Sequence, residues 1–115
     1  MRERTIDIRD HTRFVDYLSQ NGFLKISRIR KFKKYWDAPP DVIRAGDGKP
    51  FEVKSFREGG SISRLIYAIG QPLVFRCMYG DGGIIYPKEV KTAILRKNKE
   101  LGDPFGKYNI EALFL

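Results

Sequence analysis

At 115 residues with 42% hydrophobic content, the chain can bury one real core and is too apolar to be disordered. Its net charge of +8 and pI near 9.7 point to a polyanionic partner, nucleic acid ahead of acidic membrane. One cysteine, Cys77, excludes an internal disulfide and a cysteine-built zinc site, and one histidine, His11, excludes most His-centred hydrolytic constellations.

No apolar run reaches the roughly 18 residues of a membrane span, and the charged N-terminus lacks a signal-peptide core, so an intracellular protein is expected. With no repeat or linker, residues 1–115 read as a single domain. A first helix is expected from Asp10 or Thr12 to Gln20, with Phe14, Val15 and Leu18 as its apolar stripe and Asn21-Gly22 ending it. Residues 23–29 alternate as a strand. Six basic residues then fall within ten positions: Lys25, Arg28, Arg30, Lys31, Lys33 and Lys34. Interleaved with Phe32, Tyr35 and Trp36, they predict a phosphate-tracking surface with rings free to stack, against the plainer reading of a solvated edge.

Two short strands around Gly46-Asp47-Gly48 predict a hairpin, in which Phe51 and Val53 share one face and Glu52 and Lys54 the other. A two-residue turn at Gly46-Asp47 sets Asp41 opposite Glu52, and one at Asp47-Gly48 sets it opposite Lys54. Both place the three charged residues together, whereas a one-residue slip sends Asp41 to the far side. Two adjacent carboxylates repel unless a cation lies between them, and hard oxygen ligands suit Mg²⁺, with Mn²⁺ able to substitute.

Residues 55–60 read as a loop and 61–71 as a helix ended by Pro72. The apolar run 73–79 then predicts a buried strand carrying Cys77 as a core thiol. A turn at 80–83 leads to a short strand at 84–86 and a helix from Pro87 to about residue 101, broken by Gly102-Asp103-Pro104. Residues 108–115 are either an edge strand or a partner-contacting tail.

Pro40-Asp41, ten intervening residues, then Glu52-Val53-Lys54 resembles the PD-(D/E)xK nuclease superfamily. The match is strict over the hairpin and looser over residues 10–79. The resemblance implies an α/β, restriction-endonuclease-like core with a small mixed central sheet flanked by helices. It also implies metal-assisted hydrolysis of a DNA phosphodiester: Asp41, Glu52 and the Val53 carbonyl hold Mg²⁺, and Lys54, with Gln71, orients the attacking water. Many members place an acid on the first helix; no glutamate lies there, and Asp10 is nearest the expected position, with Asp16 and Glu3 as alternatives. Asp37 could supply a further oxygen, although a turn-shaping role suits it better. Tyr67 and Gln71, four apart on one helix face, look like the auxiliary motif of such nucleases; Tyr67 reads better as core, and Gln71 equally well as a local cap. Arg57 is expected to reach DNA from its loop. The compact basic build looks most like Holliday-junction resolvases, which implies a homodimer on branched DNA; Leu113, Phe114 and Leu115 could serve that dimer or cover the chain's own core. The other readings are a restriction, repair or viral nuclease on duplex, flap or single-stranded DNA, and a catalytically silent nucleic-acid-binding module.

Overall fold

The computed structural model describes residues 10–26, 35, 37–56 and 60–115. The chain is mixed α/β, with a five-stranded mixed sheet flanked by helices. Helix α1 (His11–Ser19) leads to β1 (Phe23–Lys25), and β2 (Val42–Arg44) and β3 (Pro50–Val53) form the hairpin. Helices α2 (Ile62–Tyr67) and α3 (Gly70–Tyr79) carry the chain to β4 (Gly83–Tyr86). A short 3₁₀ turn (Lys88–Val90), α4 (Lys91–Glu100), α5 (Pro104–Lys107) and β5 (Glu111–Phe114) follow. Spatial order is sequence order; β1, β2 and β3 pair antiparallel, whereas β3, β4 and β5 pair in parallel.

Helix α1 starts where its sequence directs. Asp10 caps it, its carboxylate accepting from the Arg13 N–H, and α1 buries Phe14, Val15 and Leu18. These pack on one sheet face against Phe23, Val42, Phe51, Val53 and Ile85. The opposite face holds Ile66, Ile84, Tyr86, Val90, Ile94, Phe105 and Ile110. The period of two therefore sorts β4 between two layers, Ile85 to one and Ile84 and Tyr86 to the other, and β4 is buried along its whole length as a central parallel strand should be. Each fully buried side chain of this kind contributes about 1.5–3 kcal/mol. Gly83 is required by close approach, because a Cβ there would overlap the Phe51 ring.

The hairpin closes through a four-residue loop, not a two-residue turn. Gly48 N–H donates to the Arg44 carbonyl and Arg44 N–H to the Lys49 carbonyl, with Gly48 at φ +74°. Lengthening the loop by two preserves parity, so Val42 still faces Phe51 and Ile43 faces Pro50, the register that sets Asp41 opposite Glu52. Charges clamp the loop end. Arg44 pairs with Asp47 (2.7 Å) and Glu111 (2.9 Å), and the largely buried Lys49 pairs with Glu111 (2.8 Å) and Asp81 (3.2 Å).

Five expectations change. Residues 73–79 are helical, not a strand, and Pro72 does not end a helix. As the third residue of α3 it needs no N–H partner, and the Leu73 N–H bonds back to the Ile69 carbonyl (3.0 Å). Helical phase then turns Pro72 and Phe75 inward and leaves Cys77 exposed, so it is not a core thiol. Tyr35 is buried beside Ile43 and Tyr79, its hydroxyl donating to the Gly48 carbonyl, so its ring is not free to stack. β1 stops at Lys25, followed by a 3₁₀ residue, Ile26; residues 27–29 of the expected strand lie outside the described residues. At the other end of the chain, β5 is the edge strand. Leu113 and Leu115 cover one core and Ala112 and Phe114 the other. Among the described residues, no helix is long and apolar enough to cross a membrane.

Candidate metal centre

Asp41 stands immediately before β2, where the hairpin ladder ends. Its N–H donates to the Phe51 carbonyl (3.1 Å), and its carboxylate accepts the Val53 N–H (2.8 Å) in place of a ladder carbonyl. That bond turns the side chain inward toward β3. Glu52 arrives on the same face by strand alternation, half-buried between the core residues Phe51 and Val53.

The third member comes from α1. His11 occupies the first helical position, and packing of α1 on β3 brings its Nε2 to 3.3 Å from Asp41 Oδ2 and 3.1 Å from the Val53 carbonyl oxygen. One ligand atom each from His11, Asp41 and Glu52 lies within 4.8 Å of the others, the only such trio of potential metal ligands among the described residues. Both neighbours of Nε2 are acceptors, so Nε2 carries a proton in this arrangement. The hydrogen bond to Asp41 raises the His11 pKa; burial opposes it, and attraction to Asp41, the Val53 carbonyl and Glu52 adds to it.

The two carboxyls are driven apart in acidity. Burial alone would raise Asp41, but hydrogen bonds from His11, Glu52 and the Val53 N–H outweigh it and hold the group down at about 2. Burial first, then its hydrogen bond with and repulsion by Asp41, push Glu52 up to about 8, with Lys54 and His11 pulling the other way. Near neutrality Asp41 is therefore ionised and Glu52 holds a proton.

A divalent ion fits the same donor set. Two carboxylate oxygens, one imidazole nitrogen and the Val53 carbonyl make a mixed N/O site, which suits Mn²⁺ at least as well as Mg²⁺. Ligation by His11 and Glu52 requires both to give up their protons, so metal and protons compete here. Lys54 follows at the end of β3, its N–H donating to the Ile85 carbonyl (2.9 Å), and its ammonium is close enough to oppose the rise of Glu52.

Asp41 and Glu52 thus meet on one side of the hairpin, with the Val53 carbonyl beside His11 and the Lys54 ammonium near enough to act on Glu52. Gln71 joins them at one remove: it shares a cleft with Lys54, Tyr67 and Val74. Tyr67 is not a core residue, being 67% exposed. Asp10 is absent from the cluster because its carboxylate is occupied with the α1 cap and Arg13, and Asp16 pairs with Lys25. Lys25, with its side chain mostly covered and its charge matched by Asp16, contributes little free charge to a phosphate surface. Asp37 is exposed and outside the trio. Arg28, Arg30, Lys31, Lys33, Lys34 and Arg57, with Glu3, Phe32 and Trp36, lie outside the described residues. His11 is the residue that sequence reasoning passed over. Its signal was adjacency, one position after the expected first-helix acid, although it is not an acid. Compared with protein-family models, curated proteins and solved structures, the chain matches none.

Proposed function

We propose that this chain is a metal-dependent endonuclease with a restriction-endonuclease-like core, acting on branched DNA as a homodimer, most like a Holliday-junction resolvase. The observation that carries the reading is the meeting of His11, Asp41 and Glu52 within 4.8 Å, next to Lys54. The succession of helix, strand, hairpin, helix and strand supports it, as does a charge of +8 suited to a polyanion.

Asp41, Glu52, His11 and the Val53 carbonyl would hold Mn²⁺ or Mg²⁺. Such an ion supplies Lewis-acid polarisation of the phosphoryl group and lowers the pKa of water. Lys54 offsets the negative charge that grows on the phosphoryl oxygens and holds the attacking water in line. Asp41, fixed by the Val53 N–H, keeps its carboxylate aimed at the centre as protonation elsewhere changes. Gln71 orients water or substrate from the α3 side of the same cleft.

Incubation with a four-way junction, a linear duplex and a single strand, with Mn²⁺, Mg²⁺ or EDTA, tests the reading. Metal-dependent product from the junction alone supports it. Cleavage of all three makes the protein a nuclease of a different substrate class. Tight binding with no cut under any metal makes it a silent binding module.

A further inference from the structure

We propose that the cleft beside Lys54 receives an unpaired nucleobase from the nucleotide next to the scissile phosphate, stacked on Tyr67. The cleft lies between the end of β3 and the junction of α2 with α3, has a volume of about 400 Å³, and is lined by Lys54, Tyr67, Ala68, Gly70, Gln71 and Val74. That volume is near the lower end of small-molecule pockets, about 300–1,000 Å³. No carboxylate lines it, which suits an occupant attached to phosphates.

The break between the helices builds the cleft. α2 ends at Tyr67 and α3 begins at Gly70, so the chain turns at Ala68 and Ile69 and leaves the Tyr67 ring standing in solvent. Val74, one turn into α3 and 43% exposed, supplies an apolar wall. Gln71 presents an amide that both donates and accepts, and so can meet any base edge without selecting one. An isolated exposed aromatic needs no explanation. Here the ring, the apolar wall and the amide share one cleft with the lysine of the metal centre.

The inference rests on the nuclease reading, because that reading puts a phosphate at Lys54. A base attached to that phosphate reaches the cleft only when it leaves its duplex stack, which is easiest at a branch, a flap or a single strand. Tyr67 would thereby contribute to selection by DNA structure, with little preference for sequence.

The test uses the full chain in EDTA, so that nothing is cut, and fluorescence anisotropy on a labelled single strand. The intact oligonucleotide is compared with a series carrying one abasic nucleotide stepped along it. Stacking of one base on one ring is worth about 1–3 kcal/mol, so one abasic position should weaken binding by roughly five- to hundredfold. Tyr67→Ala should weaken binding to the intact strand by a similar factor and be indifferent to that abasic position; Tyr67→Phe should behave as the unaltered protein. Circular dichroism checks the fold of both variants. A flat abasic scan, or a penalty unchanged by Tyr67→Ala, overturns the proposal. If that happens while Mn²⁺-dependent cleavage persists, the nuclease reading stands and only the base cleft falls. If the penalty disappears with Tyr67→Ala in a protein that never cuts, the base cleft stands and hydrolysis falls.

Discussion

Replacing Glu52 by glutamine removes one charge from the carboxyl pair with little change of shape, and its effect on stability should depend on pH. The ligand atoms of the cluster lie within 4.8 Å of one another. Two unit charges at that separation repel by about 3.5 kcal/mol at an effective dielectric of about 20, and by about 0.9 kcal/mol in bulk water. The half-buried site falls between these limits, so about 1–3 kcal/mol is expected when both carboxyls are ionised. The folded pKa of Glu52 is raised above its ordinary 4.5, so its favourable contribution is complete below 4.5 and is lost as pH rises through about 8. Near pH 4, Glu52 is protonated in the folded and the unfolded chain alike, and the variant should match the unaltered protein. Near pH 9 the metal-free variant should be more stable by about 1–3 kcal/mol, since the unaltered protein then carries both charges. Urea denaturation in EDTA at the two pH values measures this. Added Mn²⁺ should raise the midpoint of the unaltered protein and raise that of the variant much less. A stability difference that does not change between the two pH values would refute the claim that Glu52 and Asp41 share one pocket of charge.

Three further outcomes follow from the same geometry. His11→Glu should shift the balance of binding from Mn²⁺ toward Mg²⁺ by roughly tenfold, read by calorimetry, because a hard oxygen replaces the imidazole nitrogen; an unaltered Mn²⁺/Mg²⁺ ratio would place His11 outside the metal's reach. Lys54→Ala should abolish cleavage of a four-way junction while changing affinity for it by no more than about twofold, since one phosphate contact among many is removed; normal cutting would remove Lys54 from the chemistry. Gly83→Ala should destabilise the fold by about 1–3 kcal/mol or more through collision with the Phe51 ring, measured by thermal melting. A melting point equal to that of the unaltered protein would show that β3 and β4 can separate at little cost.

The hairpin was legible in the sequence because its information is parity. Loops of two or four residues around Gly46-Asp47 give the same facing pairs, so Asp41 met Glu52 although the turn type was misjudged. The cap at Asp10 and the stripe of Phe14, Val15 and Leu18 were legible for the same local reason. Residues 73–79 were not, since a short apolar run suits a buried strand or a buried helix equally, and a proline can end one helix or sit in the first turn of the next, as Pro72 does. Misplacing that helix also hid the exposure of Cys77, which depends on helical phase beyond the break at residues 68–69, and the break itself leaves Tyr67 exposed at the end of α2. His11 belongs to a different kind of failure. Its contact with Asp41 spans 30 residues and arises from how α1 lies across β3, which no local pattern encodes.

The cluster of Arg44, Asp47, Lys49, Asp81 and Glu111 includes none of His11, Asp41 and Glu52, yet it bears on how long their meeting persists. A two-stranded ribbon loses its pairing most readily by creeping one residue along itself, and that movement would point Asp41 and Glu52 in opposite directions. Fastening the bend of the ribbon to β5 and to the turn before β4 blocks the creep at its source. These side-chain ion pairs thus act as the anchor of the two acids, holding them from the far end much as a hinge pin holds the free edge of a door.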